Sequence, residues 1–490
     1  MADEPTVDVV VVGAGLSGLR AAVDLHQSGL SVAVLESNAT VGGKVLSSPV
    51  LGKEQVTVDL GASWINDTTQ TEMYSLVERF GLDTIKQHVA GKYLFQNETG
   101  TVVPFELGSG FTTQHPDTMR VYELLGGVAI TFNDAEDRTL DLVSLRAFAE
   151  ANTENSLVGG KAANDLSLNI LGANASDVSA LFMVDLIRGA TGLENMLSTG
   201  HDGAMYLRIR QGQSISPMED ANLKALDDID MCLPGASAIA LGLASLLPRK
   251  SIYLSTKASS ITQTPEGCLT KSANGLLFRS KKVIVSIPTT WYPFVSFDPP
   301  LPVSKQTVTD SVIGFHGRVV LTYSGPWWRE AGLSGVMEST KMGGPIAVTS
   351  DTSSDQDAHY SLTCLLVGSV GRWCSKQLSN GPVGKDIILK HLEEVFGPRV
   401  PGGVLPAPLA MVYCDWNGGT TSVMRPGTAY ESRSIGDRFG HVHFVGTETS
   451  KEWRGYMEGA VRSGIRGANE VIDEWKDGHI VGGKSPKSML

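Results

Sequence analysis

The sequence predicts an α/β fold whose parallel sheet uses segments from both ends of the chain. Near the amino terminus, the apolar β-branched run at residues 9–12 leads into a glycine-rich turn at residues 13–18 and then a helical pattern. Near the carboxyl terminus, the strand pattern at residues 441–445 leads into a second turn at residues 446–449 and another helical pattern. Two glycine-marked strand ends, each feeding a helix, predict one large ligand held from both termini.

The first turn has the spacing GxGxxG. Gly13 permits a tight turn, Gly15 lets a pyrophosphate approach the backbone, and Gly18 lets the helix pack close to the strand. The phosphates then lie at a helix N-terminus. A second strand pattern at residues 31–35 ends in Glu36, where a ribose hydroxyl needs an acceptor. Glycine-rich turns also serve packing alone, but strand, glycines, helix, strand and acid in this order favour a dinucleotide.

Two further glycine-dependent turns follow, at residues 41–44 and residues 58–64, where the backbone can come close to a ligand. A nicotinamide site does not require these additions.

Composition bounds the class of protein. A chain of 490 residues is too long for one core and predicts two or three domains. The net charge of −12, with no basic block, argues against nucleic-acid partners and anionic membrane surfaces. The longest nearly apolar stretch, residues 236–247, is too short to cross a bilayer and predicts a buried helix.

Cysteines and histidines give no sign of a metal site. The five cysteines are scattered without a CxxC pair, which favours reduced thiols. His441 and His443 lie two residues apart but have no third ligand nearby, so a half-exposed strand is favoured over a metal site.

Residues 1–7 lack the features of a signal peptide, so we expect a cytoplasmic protein. The terminal tripeptide Ser488, Met489 and Leu490 is similar to a peroxisomal address without its basic middle residue, and the alternative is an ordinary frayed tail.

Pattern changes divide the rest of the chain. Helical patterns dominate residues 86–215, and strand patterns return over residues 251–288. Further strands at residues 317–323 and 362–367, with a helix around residues 387–396, suit a second sheet.

Together these segments resemble the flavin-containing amine oxidase family, in particular its soluble fungal monoamine oxidases. The most specific part is the run HFVGTETSKEWRGYMEGAVRSG at residues 443–464, which is similar to the family's second FAD motif. VSIPTT at residues 285–290, followed by FDPPLP at residues 297–302, is similar to the family's passage from flavin domain to substrate domain.

The resemblance implies a monoamine oxidase-like architecture. A Rossmann-like FAD-binding domain is expected from residues 1–85, 215–290 and 408–475. A mixed-sheet and helical substrate domain is expected from residues 86–214 and 291–407, and residues 476–490 form a tail. A homodimer is the family expectation.

The resemblance also implies the residues that bind FAD, with Lys44 where the family usually has an arginine. The set is Gly13, Ala14, Gly15, Leu16, Ser17, Gly18, Glu36, Ser37, Gly43, Lys44, Gly61, Ala62, Ser63, Trp64, Ala258, Gly446, Thr447, Glu448, Tyr456 and Met457.

The implied reaction oxidises a carbon–nitrogen bond of an amine. Hydride passes to flavin N5, water hydrolyses the imine to a carbonyl compound and ammonia, and O2 reoxidises the flavin with release of hydrogen peroxide. The substrate is a primary amine, either a simple aliphatic one or a long-chain amino alcohol of the fumonisin type. Alternatives are a desaturase or other carbon–carbon oxidase of the same fold, and a flavoprotein without turnover.

Three departures from the family bear on the catalytic residues. Covalent relatives carry a cysteine where Thr420 stands, and a hydroxyl does not replace a thiolate in a thioether, so we expect non-covalent FAD. Tyr456 matches one ring of the aromatic pair around the amine, while the other position falls on Thr420 or Thr421. Either the pocket accepts a bulkier amine, or Trp416 takes the empty place.

The third departure is Arg318, which aligns with a lysine that commonly holds a water at flavin N5. An arginine can hold water but does not act as a base. The alternative is a strand residue paired with a surface carboxylate. Arg208 and Arg210 fit either a contact with substrate carboxylates or a solvated face.

Overall fold

The computed structural model describes residues 4–50, 53–106, 115–131, 134–210, 235–414, 416 and 420–481. Cys232, residues 417–419 and the terminal tripeptide lie outside the described residues.

Strands and helices are numbered in chain order. The strands are β1 (Thr6–Val12), β2 (Val32–Leu35), β3 (Ser47–Val50), β4 (Lys53–Asp59), β5 (Trp64–Ile65), β6 (Thr84–Lys86), β7 (Lys92–Gln96), β8 (Val102–Phe105), β9 (Leu207–Ile209), β10 (Ile252–Tyr253), β11 (Ala258–Thr264), β12 (Gly267–Ser272), β13 (Leu277–Val285), β14 (Ser296–Asp298), β15 (Val312–Gly314), β16 (His316–Tyr323), β17 (Leu333–Ser339), β18 (Val348–Asp351), β19 (Tyr360–Val367), β20 (Ala410–Cys414), β21 (Thr421–Val423) and β22 (Val442–Phe444). The α-helices are α1 (Leu16–Gln27), α2 (Thr71–Arg79), α3 (Pro116–Thr131), α4 (Asp134–Asp141), α5 (Leu145–Ala151), α6 (Ser156–Leu171), α7 (Ala180–Gly189), α8 (Leu193–Leu197), α9 (Ser237–Ser245), α10 (Val303–Thr307), α11 (Trp327–Glu330), α12 (Gly368–Asn380), α13 (Val383–Phe396) and α14 (Met457–Val481).

The first sheet joins the two ends of the chain. Its strand order is β10-β2-β1-β13-β12-β11-β14, and β22 also pairs with β13. Both β1 and β22 run parallel to β13, so the two predicted glycine-marked strands lie on one sheet. Residues 9–12 of β1 are almost fully buried, and burial on both faces explains why all four are valine.

The first and last long helices pack on each other. A Cβ added to Gly464 of α14 would lie 2.4 Å from the carbonyl oxygen of Ser17 in α1, so a larger residue does not fit there. The hydroxyl of Ser463 donates a hydrogen bond to that of Ser17 at 3.3 Å. The apolar stretch at residues 236–247 forms the buried helix α9, in the same core as α1.

A second sheet has the strand order β20-β16-β19-β18-β17-β7-β8. One of its faces packs under α12 and α13 and is fully buried at Val319, Cys364 and Met337. Strand β20 belongs to this second sheet, although it lies in segment 408–475, which was predicted to be part of the FAD-binding domain. Strand β14 belongs to the first sheet, although it lies in segment 291–407, which was predicted to be part of the substrate domain. The division into two domains remains a prediction.

The helices α3 to α8 form a third layer with its own core. Leu181, Met183 and Ile187 of α7 are fully buried there, and Trp453 joins them from the carboxyl-terminal segment. The region predicted as helical at residues 86–215 also holds β7 and β8, which complete the second sheet. The strands escaped prediction because they are short and lack strict alternation.

Candidate active site

The turn between β1 and α1 leaves one side open to a ligand. Gly13 has a φ of +106°, which glycine adopts without strain. A Cβ added to Gly18 would lie 2.0 Å from the carbonyl oxygen of Gly13, whereas one added to Gly15 would meet no atom within 4 Å. Since Gly15 caps α1 without a side-chain hydrogen bond, the open side exposes helix N–H groups to which a phosphate can bind.

Glu36 lies against the same turn, at the end of β2. Its Oε2 accepts a hydrogen bond from the N–H of Ala14 at 2.8 Å. Its Oε1 accepts hydrogen bonds from the N–H of Asn38 at 2.8 Å and the hydroxyl of Ser37 at 3.1 Å. A carboxylate oxygen accepts two hydrogen bonds, so Oε2 keeps capacity for a ribose hydroxyl.

The chain before Ala258 reaches this corner as well. The N–H of Thr256 donates to the carbonyl oxygen of Glu36 at 2.6 Å. Ala258, which begins β11 two residues later, is buried. Ala258, which is predicted to contact adenine, therefore lies at the same end of the first sheet as Glu36.

The turn at residues 42–44 stacks on the first turn. The N–H of Gly42 donates to the carbonyl oxygen of Ala14 at 2.9 Å, and a Cβ added to Gly43 would lie 3.3 Å from the Cα of Gly15. Lys44 Nζ lies 3.3 Å from Glu448 Oε1. An ion pair thus joins this turn to the carboxyl-terminal segment.

Residues 61–64 pack beside this turn. A Cβ added to Gly61 would lie 2.3 Å from the carbonyl oxygen of Lys44, so glycine is required. The N–H of Ala62 donates to the same oxygen at 3.1 Å. The indole N–H of Trp64 donates to Oε1 of Gln87 at 2.9 Å, which fixes the plane of the ring.

The carboxyl-terminal turn closes the cleft. Gly446 has a φ of +121°, and its N–H donates to the hydroxyl of Ser463 on α14 at 3.0 Å. The hydroxyl of Thr447 donates to the carbonyl oxygen of Tyr456 at 2.9 Å and accepts a hydrogen bond from the N–H of Gly455 at 2.7 Å. The backbone before α14, which begins at Met457, is therefore tied to the turn after β22.

Tyr456 lies between this turn and the helical layer. Its ring packs edge-on against Trp453 with centroids 5.0 Å apart, and the indole N–H of Trp453 donates to the carbonyl oxygen of Thr69. Burial raises the pKa of Tyr456 well above its ordinary value, so its hydroxyl stays protonated. The side chain offers a fixed, uncharged aromatic ring.

Arg318 lies inside the protein. Its guanidinium donates to the backbone carbonyl oxygen of Asp59 at 3.2 Å and to the hydroxyl of Ser63, and stacks 4.9 Å from the ring of Trp64. Burial, with a smaller contribution from the neighbouring Arg208 and against an opposing effect of Asp59, lowers the pKa of Arg318 to about 10. The residue remains a cation at neutral pH. The alternative of a surface ion pair is wrong.

Trp416, Thr420 and Thr421 lie on the same side of the site as Arg318. The indole N–H of Trp416 donates to the carbonyl oxygen of Leu60 at 3.3 Å. The hydroxyl of Thr420 accepts a hydrogen bond from the N–H of His316 at 2.9 Å, and that of Thr421 donates to the carbonyl oxygen of Leu171 at 2.5 Å. Both threonines are thus held by backbone groups, and the described aromatic rings on this side include those of Trp416 and Trp64.

The expectation of a solvated face is wrong for Arg208, which is buried, whereas Arg210 is partly exposed and pairs with carboxylates of the protein itself. Arg208 is 1% exposed and donates to the carbonyl oxygens of Thr352 and Ser353 at 3.0 and 2.9 Å. Arg210 forms an ion pair with Asp357 at 2.6 Å. Both cations hold the chain around β9 in place.

Sequence reasoning missed the wall formed by β17 and β7 of the second sheet. Glu338 on β17 and Tyr93 on β7 lie on one face of this sheet, and burial together with the smaller effect of the Glu338 charge raises the pKa of Tyr93 and of Tyr122 on α3. The one available signal in the sequence was Glu338 itself, an acidic residue directly after the uncharged run at residues 331–337.

Among the described residues, no group of three histidine, cysteine or carboxylate side chains is placed to bind a metal. His443 Nδ1 lies 2.9 Å from Oε2 of Glu470, and the four described cysteines are free thiols. No described helix combines the length and apolarity that crossing a bilayer requires.

The site fits a dinucleotide of the FAD type. Its glycine turns at residues 13–18, 42–44 and 446 lie around one cleft and let the ligand approach the backbone. Within that cleft, the uncapped start of α1 suits a pyrophosphate and Glu36 suits a ribose. The start of α14 brings the positive end of a helix dipole to the other side.

Comparisons with known proteins agree with this geometry. A sequence model of the family described as flavin containing amine oxidoreductase matches residues 16–472. The chain is 26% identical to the probable flavin-containing monoamine oxidase A of Dictyostelium discoideum, over 95% of this chain and 98% of that protein. It is 27% identical to the flavin-containing amine oxidase B of Homo sapiens, over 95% of this chain and 86% of that protein.

Solved structures share the fold. Wild-type putrescine oxidase bound to putrescine superposes with a TM-score of 0.79 at 22% identity, covering 96% of this chain and 99% of that one. Cyclohexylamine oxidase from Brevibacterium oxydans IH-35A superposes with a TM-score of 0.80 at 23% identity, covering 96% of this chain and all of that one.

Proposed function

The chain belongs to the family of flavin-containing amine oxidoreductases and is an FAD-dependent amine oxidase, and we propose that it converts a primary amine to a carbonyl compound, ammonia and hydrogen peroxide. The proposed substrates are simple aliphatic amines and, as longer members of the same class, long-chain amino alcohols of the fumonisin type. One observation carries this proposal. The hydrogen bonds of Thr447 tie the backbone of Tyr456 to the turn that closes the cofactor cleft.

When bound, FAD supplies the acceptor for the hydride and passes the electrons to O2. The part of Tyr456 is to present an apolar ring to the amine. An apolar surrounding disfavours the ammonium form, so the amine reacts as the neutral base. Because the hydroxyl of Tyr456 keeps its proton, the ring adds no negative charge that would favour the ammonium.

Arg318 supplies a fixed positive charge on the opposite side. Its pKa of about 10 keeps it protonated at neutral pH, so it donates hydrogen bonds to a water or to reduced oxygen and takes up no proton. The hydrogen bonds to Asp59 and Ser63 hold the guanidinium in place beside Trp64. We assign it to the step in which oxygen is reduced.

Thr420 supports non-covalent FAD. Its hydroxyl is held by the N–H of His316 and has no thiolate chemistry for a covalent link. Acid precipitation of the yellow protein should leave the colour in the supernatant. A yellow pellet would contradict this assignment.

The deciding experiment is anaerobic mixing of the holoenzyme with a panel of primary amines. We expect the flavin absorbance to bleach, and admission of air to restore it with release of ammonia and hydrogen peroxide. Bleaching by polyenes instead of amines would identify a carbon–carbon oxidase. A yellow protein that no amine bleaches would be a flavoprotein without turnover, and the proposal would be wrong.

A homodimer and a peroxisomal address remain predictions. Light scattering of the purified chain tests the first, and the cellular distribution of a variant without the terminal tripeptide tests the second.

A further inference from the structure

Gln87 is a buried glutamine directly after β6, and its side chain connects two parts of the molecule. The residue is 8% exposed. Its Oε1 accepts a hydrogen bond from the indole N–H of Trp64 at 2.9 Å, and its Nε2 donates one to the carbonyl oxygen of Asp351 at 2.7 Å. Because an indole nitrogen only donates and a carbonyl oxygen only accepts, these partners allow one orientation of the amide. Gln87 therefore ties the ring of Trp64 to the end of β18.

The segment to which Gln87 donates is itself held firmly. The carboxylate of Asp351 accepts hydrogen bonds from the indole N–H of Trp328 at 2.7 Å, the guanidinium of Arg329 at 2.6 Å and the N–H of Ser353 at 2.9 Å. Asp351 is fully buried, so water does not compete for these bonds. They fix the backbone whose carbonyl oxygen binds Gln87.

Arg208 connects the backbone of Trp64 to the same segment. The two residues pair across β9 and β5, and the guanidinium of Arg208 donates to the carbonyl oxygens of Thr352 and Ser353. This pairing places the backbone of Trp64 but leaves the torsion angles of its side chain open. Among the described residues, Gln87 alone accepts a hydrogen bond from the indole N–H. The plane of the ring therefore depends on Gln87.

The face of that ring forms one wall for the guanidinium of Arg318. The central carbon of the guanidinium lies 4.9 Å from the ring centroid, within the range of a cation–π contact. Nη1 of Arg318 donates to the carbonyl oxygen of Asp59 and to the hydroxyl of Ser63. Within the described part of the chain, no group accepts a hydrogen bond from Nε or Nη2.

These contacts constrain Arg318 in two different ways. Both hydrogen bonds are made by one nitrogen, so they fix the position of Nη1 but leave the guanidinium able to turn about that atom. The face of the Trp64 indole limits this rotation, because a planar cation is attracted to a ring over which it lies flat. The direction in which Nε and Nη2 point thus depends on the plane of the indole, and through it on Gln87.

We propose that Gln87 is a positioning residue for the reduction of O2, which acts through the ring of Trp64 on the direction of the Arg318 N–H groups. This inference rests on the proposed function, which assigns Arg318 to that step. In the step, O2 takes up two electrons and one proton from the reduced cofactor and a second proton from water, giving hydrogen peroxide. Arg318 keeps its proton and stabilises the negative charge on the reduced oxygen. Gln87 touches no reacting group.

The test separates the two half-reactions of the holoenzyme by stopped flow. Gln87→Met keeps the length of the side chain and removes both hydrogen bonds. The rate at which O2 reoxidises the reduced flavin should fall about 10-fold, less than the roughly 100-fold typical of losing a charged donor, because the Arg318 charge remains. The rate of anaerobic reduction by octylamine should stay within about twofold of the wild type, because Tyr456 and its contacts are unchanged.

Two further variants test the route through the indole. Trp64→Phe keeps an aromatic face but lacks the N–H, so it should slow reoxidation as Gln87→Met does. Adding Gln87→Met to Trp64→Phe should then cause no further loss. Gln87→Glu retains an acceptor for the indole N–H and should restore most of the wild-type rate.

A structural readout accompanies the kinetics. In protein with 15N-labelled tryptophan, the indole N–H signal of Trp64 is the one that Trp64→Phe removes. Its hydrogen exchange with solvent should be faster in Gln87→Met than in the wild type, because the acceptor is gone. This measurement needs no turnover.

Gln96→Met is the matched control for a general loss of stability. Gln96 on β7 is also a buried glutamine, whose Oε1 accepts a hydrogen bond from the hydroxyl of Ser339 at 2.8 Å and lies 2.7 Å from Nε2 of His391 on α13. It belongs to the face of the second sheet opposite Arg318. Gln96→Met should lower the melting temperature and leave the rate of reoxidation unchanged.

Reoxidation of Gln87→Met at the wild-type rate would overturn the inference, as would a further loss when it is added to Trp64→Phe. If Gln87→Met does not retain flavin, Trp64→Phe decides, and a wild-type rate of reoxidation there overturns the inference. Failure of octylamine to bleach the wild-type flavin would instead contradict the proposed function. Slow reoxidation in Arg318→Met with a normal rate in Gln87→Met would show that the role of Gln87 alone is wrong.

Discussion

The first and second sheets contribute to the site in opposite ways. At the first sheet, the ligand is offered backbone groups and the Glu36 carboxylate, and side chains are absent where the ligand approaches the turns, as at Gly15 and Gly43. At the second sheet, the contacts come from a side chain on a regular strand face, the guanidinium of Arg318. The backbone there is occupied by strand pairing.

This difference predicts different tolerance to substitution. A backbone site fails when an atom is added, either because two chain segments already touch, as at Gly18, or because the added atom takes the place of the ligand, as at Gly15. A side-chain site loses only the interaction that its group makes, and the sheet beneath survives. Substitutions at the two sheets test this contrast, and they are given in decreasing order of expected effect.

Gly18→Ala should have the largest effect. Its Cβ would lie 2.0 Å from the carbonyl oxygen of Gly13, so α1 must move away from β1. We expect loss of bound FAD and a drop of several degrees in the melting temperature. The ratio of flavin to protein absorbance and thermal unfolding measure the two effects.

Gly126→Ala in α3 is the control, because its added methyl group meets no atom within 4 Å. It should leave flavin content unchanged. Gly15→Ala sharpens the comparison, since its methyl group is also unopposed by protein. It should preserve the fold and weaken FAD binding; unchanged FAD affinity would place the phosphates elsewhere.

Arg318→Met should affect catalysis without loss of the cofactor. Removing a fixed charge next to reacting groups typically lowers a rate about 100-fold. We expect this in the rate of reoxidation of the reduced flavin by O2, measured by stopped flow. Arg318→Lys should retain most of the rate. Unchanged reoxidation in Arg318→Met would remove this residue from the mechanism.

His316, on the site face of the second sheet, should contribute to acid sensitivity. Burial lowers the pKa of His316 to about 4 from an ordinary 6.5. Between these values the unfolded chain binds a proton that the folded chain does not, so stability falls as the pH drops from about 6.5 to about 4. His316→Gln should reduce this loss by about 1 to 3 kcal/mol, measured by denaturant unfolding at pH 7 and pH 5.

His391 on α13 tests the opposite face of the same sheet. Burial lowers the pKa of His391 to about 4 as well, and its Nε2 lies 2.7 Å from Gln96 Oε1. His391→Gln should also reduce the loss of stability in acid. A larger effect at His391 than at His316 would indicate that water reaches the site face. If the free energy of unfolding had the same pH dependence in the wild type and in both variants, neither histidine would contribute to the acid sensitivity.

Lys44→Met should have the smallest effect. The pair of Lys44 with Glu448 joins the two ends of the cleft at 3.3 Å, but the lysine side chain is 39% exposed. Pairs in such positions contribute up to about 1 kcal/mol. A double-mutant cycle with Glu448→Gln, measured by thermal unfolding of the holoenzyme, should give a coupling below that value. A larger coupling would mean that the pair is shielded from water.

Prediction from the sequence worked best where a few adjacent residues carry the signal. The turn after β1, the acid at the end of β2 and the turn after β22 were each identified from their spacing, and the structure brings them around one cleft. For Arg318, the family resemblance supplied the position, but its partners Asp59 and Ser63 came only from the fold. Glu338 was missed because nothing nearby in the chain marks its strand.

The turns of the first sheet could be identified from the sequence alone, because a glycine with a required φ or a required close approach is a local property that spacing reveals. The residues that share a face of the second sheet with Arg318, among them Leu365 and Val348, follow from the folded arrangement and not from any local pattern. That face depends on strand order and register over four strands that are separated along the chain, and a shift of one residue would turn each side chain to the other side.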